Sequence, residues 1–112
     1  MVLIHPLNQN TMYIFNTTFS VRSDSQKEWE DWMQKTYLPT FKDLLPDVSY
    51  ELMELMSVKE GDSTNFSCQW HCSDPAELEV INKYSAILLN NLSETMGERC
   101  LYFSSILKEH NF

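Results

Sequence analysis

A two-layer α+β fold, with two helices against one face of an antiparallel sheet, is what this sequence predicts, and three observations predict it. First, residues 66–73 alternate without exception: Phe66, Cys68, Trp70 and Cys72 against Ser67, Gln69, His71 and Ser73. Period two marks a strand with one face on a core. Second, that strand runs straight into a helix start. Asp74 reads as the N-cap, Pro75 as the first helical residue and Glu77 as the reciprocal member of a capping box. Third, the apolar period switches between two and 3.6 so that strand, helix and strand follow one another twice.

The first strand is Met12 to Val21, rich in aromatic and β-branched residues, with Tyr13, Phe15, Thr17, Phe19 and Val21 on one face. Ser25 and Glu28 have capping-box spacing and open a helix whose apolar positions are Trp29, Trp32, Met33, Phe41, Leu44 and Leu45. Pro39 lies inside that pattern, so a kink or break is expected near Tyr37 and Leu38, with a short second helix from Pro39. Ser49 to Val58 is the second strand, and residues 60–63 form the turn into a third strand over 64–73. A long helix runs from Pro75 to about Met96 with Leu78, Ile81, Tyr84, Leu88 and Leu92 on its stripe, and Gly97 ends it. Cys100 to Lys108 is the last strand. The order β-α-β-β-α-β is that of a ferredoxin-like fold, a four-stranded antiparallel sheet with both helices on one face. Residues 1–11 have no periodicity and are expected to be a disordered or loosely attached leader to a single domain spanning 12–112.

Two helices cover one side of such a sheet, and the other side of a solvated monomer should be polar. Here Met53 and Leu55 cannot share a face with Leu52 and Met56, and the last strand is apolar on both sides. A large apolar patch left in water is an association surface. The expectation is a homodimer formed through the helix-free face.

Composition narrows the function. Eight Lys and Arg stand against 16 Asp and Glu, a formal charge of −8, and the basic residues are scattered singly. Nucleic acid and an anionic membrane surface are therefore not expected partners. No apolar run has the roughly 18 residues of a membrane span, and the first residues lack the basic start of a secretory signal, so a cytoplasmic location is expected. Cys68, Cys72 and Cys100 are an odd number of cysteines. On a strand the first two are about 13 Å apart, too far to share one zinc ion, so buried structural thiols are expected and no metal. Two glycines exclude a Gly-rich phosphate loop, and no nucleophile elbow or calcium loop is present. No cofactor and no catalytic residue are assigned.

The residues that could meet a small ligand are few. His71 and Gln69 sit two apart on a strand and so point the same way, which suits contact with a polar molecule. Trp32 and Trp70, with Trp29, could line an aromatic pocket between helix and sheet, a role that competes with simple core packing. Tyr37 is the remaining titratable candidate.

The spacing Trp29-x-x-Trp32-Met33, then Leu38-Pro39, then Tyr50-Glu51-Leu52, resembles a small bacterial family of unknown function, the DUF4286 domain proteins. Phe66 to Trp70 and the closing pair Gly97 and Phe103 fit the same pattern, and the resemblance runs from residue 12 to about 108. It implies a ferredoxin-like fold of the dimeric α+β barrel kind with no established activity. Two positions depart from the family pattern: Tyr37 stands where members often carry His, and Ser104-Ser105 where they often carry Arg-Thr. Gln69 is retained, which puts it first among the ligand-binding candidates Gln69, His71, Tyr37, Trp32 and Trp70.

Two readings follow. One is a non-catalytic dimeric module that binds a small molecule or another protein. The alternative is a cofactor-independent enzyme of monooxygenase or isomerase type, an analogy at the level of fold alone. A closed interface around Gln69 and His71 favours the first; an open pocket containing His71 or Tyr37 favours the second.

Overall fold

The computed structural model describes residues 11–56 and 61–112. The expected leader falls almost wholly outside the described residues, as do Val58 and Glu60 of the second strand and its turn. The elements are β1 (Tyr13–Arg22), α1 (Gln26–Trp32), α2 (Leu38–Leu44), β2 (Ser49–Glu54), β3 (Ser63–Cys72), α3 (Pro75–Met96) and β4 (Cys100–Lys108). All strand pairings are antiparallel and the spatial order is β2-β3-β1-β4, the ferredoxin-like arrangement. Among the described residues no helix is long and apolar enough to cross a membrane.

The start of α3 forms largely as its residues dictate. The Asp74 Oδ1 accepts the Glu77 amide at 2.9 Å. The Glu77 carboxylate returns one residue further out than the standard box, accepting the Ser73 amide at 2.8 Å and the Ser73 hydroxyl at 3.0 Å. Gly97 closes the helix at φ +54°, a conformation that L side chains avoid.

The other expected capping box does not form. Ser25 ends a 3₁₀ turn, Ser23–Ser25, and its hydroxyl accepts from Arg99 at 3.0 Å instead of capping α1. Glu28 takes two bonds from the same guanidinium, at 2.7 and 3.3 Å, and these hold its carboxyl below the usual range. A charged, forked donor from the α3–β4 junction outcompetes a local backbone amide.

Nor does the first helix break at Pro39. Its backbone stays helical through Met33–Tyr37, a π-helical turn in which the Leu38 amide reaches the Met33 carbonyl. The wider turn admits a residue that lacks an N–H and whose ring would meet the carbonyl four residues back. It also aligns the buried set Trp29, Met33, Tyr37 and Phe41, spaced every four residues. In a regular α-helix each step of four overshoots a full circle by about 40°. Left uncorrected, that drift would carry Phe41 away from the sheet.

The core is aromatic. Trp29 stacks on Phe66 with centroids 4.5 Å apart, Phe41 meets Trp70 at 5.0 Å, and Phe19 sits 5.4 Å from Trp29. On α3 the buried line is Ile81, Ser85, Leu89, Leu92 and Met96, rotated from the expected stripe so that Leu78, Tyr84 and Leu88 become half-buried flanks. Ser85 stands within that apolar line because its hydroxyl is paired with that of Tyr37 at 3.2 Å.

Strand register assigns every side chain to a face. Tyr13, Phe15, Thr17, Phe19 and Val21 of β1 face the helices, together with Trp70 and Cys68 of β3, Tyr50 and Leu52 of β2, and Tyr102 and Ser104 of β4. The bare face carries Ile14, Asn16, Thr18 and Ser20, with Ser67, Gln69 and His71, then Glu51 and Met53, and finally Leu101, Phe103, Ser105 and Leu107. Exposed apolar side chains are not confined to the bare side as expected. They line both edge strands: Tyr50 and Leu52 on the helix side of β2 are 40% and 39% exposed, and Ile106 on the helix side of β4 is 52% exposed. The inward side chains of the central strands are buried, and the sheet outgrows its helical cover at both edges.

Candidate functional site

The alternation of β1 that turns Phe15 and Phe19 inward turns Asn16, Thr18 and Ser20 outward. Cross-strand neighbours then build a polar stripe along the middle of the bare face. The Ser67 hydroxyl donates to Asn16 Oδ1 at 2.6 Å. The Asn16 amide nitrogen donates to Thr18 at 3.2 Å and reaches Ser105 at 3.5 Å, and the Gln69 amide reaches Ser67 at 3.5 Å. Asn16 and Ser67 are each only 8% exposed although none of the described helices lies over them. Their neighbours enclose them. At the β2 end, His71 Nε2 meets Glu51 Oε1 at 2.9 Å.

Apolar residues flank the stripe. Leu101, Phe103 and Leu107 on β4 are 58%, 62% and 46% exposed, and Met53 on β2 is 45% exposed. Between the stripe and β4 lies a cavity of about 300 Å³ lined by Thr18, Ser20, Asn65, Leu101, Tyr102 and Phe103.

The other side of the sheet holds the buried titratable groups. The Tyr37 hydroxyl is fully buried against Ser85 Oγ at 3.2 Å, and burial pushes its pKa up to about 12. The thiols behave alike: burial raises Cys68 and Cys100 to about 12 and Cys72 to about 11. All three cysteines are free. Protonated and enclosed, none of these groups is an activated nucleophile or base near neutral pH.

The five residues singled out from the sequence are thus divided by the sheet. Gln69 and His71 lie on the bare face. Tyr37 and Trp70 are buried beneath the helices, and Trp32 is half-buried beside Tyr37 with ring centroids 5.1 Å apart. Neither His71 nor Tyr37 lines the 300 Å³ cavity on the bare face or a groove of about 370 Å³ between α1 and β2. Sequence reasoning missed Asn16, Ser67 and Ser105, the centre of the stripe, and Ser85, the polar point of the core. The signal for the first was present in the outward set Asn16, Thr18 and Ser20 at period two. Nothing local marks the second.

The sequence matches the family DUF4286, "Domain of unknown function", over residues 12–110. The chain is a member of that family. No curated protein matches it. Among solved structures, this DUF4286 chain is similar to a de novo designed protein, Foldit4, with a TM-score of 0.60 and 9% identity over 89% of this chain and 99% of the other. It is also similar to a dimeric ferredoxin-like protein from an uncultured marine organism, at TM-score 0.58 and 13% identity over 88% and 95% of the two chains. A third is an ethyl tert-butyl ether d (EthD) family protein from Bacillus halodurans, at TM-score 0.58 and 11% identity over 88% and 99%. At these identities the likeness is one of fold.

Proposed function

We propose that this DUF4286 protein is a non-catalytic binding module that acts as a homodimer, the bare sheet face of one copy lying on the same face of another. The observation that carries the reading is the arrangement of that face: a self-satisfied polar stripe bordered along both edge strands by exposed Leu101, Phe103, Leu107 and Met53. A two-fold pairing lets one patch serve on both copies. Apolar borders meeting across the axis would close the two sheets at their edges and leave the polar stripes facing one another inside, as in an α+β barrel. A fold neighbour is itself described as dimeric, which fits.

Covering the exposed halves of four large apolar side chains on each copy yields roughly 6–12 kcal/mol gross. Association costs about 4–15 kcal/mol. The most favourable balance is about 8 kcal/mol, so the dimer is expected to be concentration-dependent and no tighter than about micromolar. A binding rather than catalytic role is supported by the buried hydroxyl and thiols, which burial holds protonated. Free thiols fit the reducing cytoplasm of a bacterial cell, where we place the protein.

Sedimentation equilibrium from about 1 to 100 µM tests the proposal. The expected result is a monomer–dimer equilibrium that Phe103→Glu abolishes while the circular dichroism spectrum is retained. A wild-type chain that stays monomeric at the top of that range overturns it.

A further inference from the structure

β2 is an edge strand, and all six of its residues are exposed. The direction of its backbone groups follows from one bond. The Leu55 amide donates to the Asn65 carbonyl at 2.8 Å, and the β2–β3 register places those two residues directly opposite one another. In an antiparallel pair such hydrogen-bonded positions alternate with non-bonded ones. Met53, Glu51 and Ser49 therefore turn their N–H and C=O groups towards β3, while Tyr50, Leu52 and Glu54 turn theirs outwards. Among the described residues these outward groups have no partner.

The same three residues carry their side chains on the helix side of the sheet, where they line the groove of about 370 Å³ beside α1. Its floor is apolar, formed by the buried Trp29 and Met33 with the half-buried Phe66. Its rim is acidic, with Glu30 and Glu54 both exposed. Glu30 accepts one bond, from the Gln26 amide at 3.3 Å, and Glu54 has no side-chain partner among the described residues. Among those residues no Lys or Arg lines the groove. An open ladder, an apolar trough and unmatched carboxylates thus share one edge.

We infer that β2 is a docking edge for an extended, basic peptide segment of another protein, which adds to the sheet as a further strand antiparallel to β2. Its backbone exchanges hydrogen bonds with Tyr50, Leu52 and Glu54. Apolar residues opposite Tyr50 and Leu52 stand about 5 Å from them, cover their exposed side chains and close the groove. A Lys or Arg opposite Glu54 meets that carboxylate at the rim it shares with Glu30. Charge selects this occupant over a second copy, because pairing two β2 edges would double the carboxylates of Glu30, Glu51 and Glu54 along one seam. This inference rests on the reading of the protein as a binding module and not on the dimer, which leaves the backbone edge of β2 unpaired.

The probe is the acetylated and amidated peptide SKVIKVS, whose lysines fall opposite Glu54 and Glu51 and whose isoleucine falls opposite Leu52. Three relatives isolate the features of the edge. SEVIEVS reverses the charge. N-methylation of the isoleucine removes a donor that points at Leu52, whereas N-methylation of the first valine removes one that points away from β2. Amide chemical shifts and hydrogen exchange are followed on titration of wild-type protein and of the monomeric Phe103→Glu variant. In the free protein the Tyr50, Leu52 and Glu54 amides should exchange faster than those of Glu51 and Met53. SKVIKVS is expected to saturate below millimolar concentration in both proteins, with shifts centred on residues 50–54 and protection of the three outward amides. SEVIEVS and the isoleucine-methylated peptide should bind at least about tenfold more weakly, and the valine-methylated peptide within about threefold of the parent. No saturation by millimolar concentration overturns the inference, as do equal losses from the two methylations, equal binding of both charges, or shifts at Tyr102 and Ile106 on β4. Outward amides already protected without peptide overturn it too, since this chain or a second copy then occupies the edge.

Two variants sharpen the test. Glu54→Gln, at an exposed position, is expected to narrow the preference for SKVIKVS over SEVIEVS by at least about threefold. Leu52→Pro removes an outward donor that β3 does not use and is expected to weaken binding by at least about tenfold. Unaltered preference in Glu54→Gln counts against the site even if Leu52→Pro does not fold. Loss of the dimer in wild type with peptide binding intact would sink the proposed pairing and leave this inference standing, and a dimer that binds no peptide would do the reverse.

Discussion

The two faces of this sheet solve the burial of polar groups in opposite ways. Beneath the helices, an aromatic core surrounds the Tyr37–Ser85 hydroxyl pair, and the buried Thr17 hydroxyl meets that of the exposed Ser104 on the edge strand. On the bare face the polar groups form a continuous stripe through Asn16, and the apolar residues are pushed to the borders. A soluble interface normally has an apolar centre and a polar rim. The bare face has the reverse order, which is what the proposed pairing of two sheets at their edges around a polar interior would require. Among the described residues, burial on this face is thus achieved by neighbouring strands alone.

The largest effect expected from breaking this contrast is in the aromatic core. Trp29→Ala or Phe41→Ala should lower the unfolding free energy by about 3–5 kcal/mol, read from urea midpoints, because neither cavity can collapse around rigid rings. Phe103→Glu should leave the monomer's stability within about 0.5 kcal/mol of wild type and yet weaken self-association by roughly 100-fold or more. If instead it unfolds the chain, Phe103 belongs to the core and the two faces are not distinct.

A smaller change is expected at the middle of the stripe. Asn16→Leu deprives the Ser67 hydroxyl of its acceptor and should destabilise the monomer by about 1–3 kcal/mol. A neutral or stabilising result would mean that the stripe is held only for its partner.

Alkaline pH probes the helix-covered face alone. Tyr37, Cys68 and Cys100 rise from 10.0, 9.0 and 9.0 to about 12 on folding. Their folded pKa values exceed the unfolded ones, so the neutral forms stabilise the fold fully below about pH 9. That contribution is lost as pH climbs towards 12, because the unfolded chain releases these protons first. Urea midpoints should therefore fall between pH 9 and 11, and less steeply in the Tyr37→Phe, Ser85→Ala variant. The smallest effect expected is that of Arg99→Ala at the exposed pair with Glu28, a slight drop in melting temperature that added salt diminishes in the wild type.

Much of the architecture was legible before any coordinates. Alternation over 66–73 and the Asp74–Pro75–Glu77 start are local patterns whose partners lie within four residues, so composition and spacing determine them. The order β-α-β-β-α-β followed from the same kind of signal. What only the tertiary structure decided is each choice between a local partner and a distant one. Ser25 and Glu28 have the spacing of a cap, but Arg99, more than 70 residues away, claims both. Tyr37 reads as a ligand-binding candidate until Ser85, 48 residues on, meets it inside the core. Pro39 reads as a kink or a break, and packing of Trp29, Met33, Tyr37 and Phe41 on one line decides for a widened turn. Local hydrogen bonds and periods are encoded in neighbouring residues, whereas competition among distant donors, acceptors and rings is settled only when folding brings them within reach.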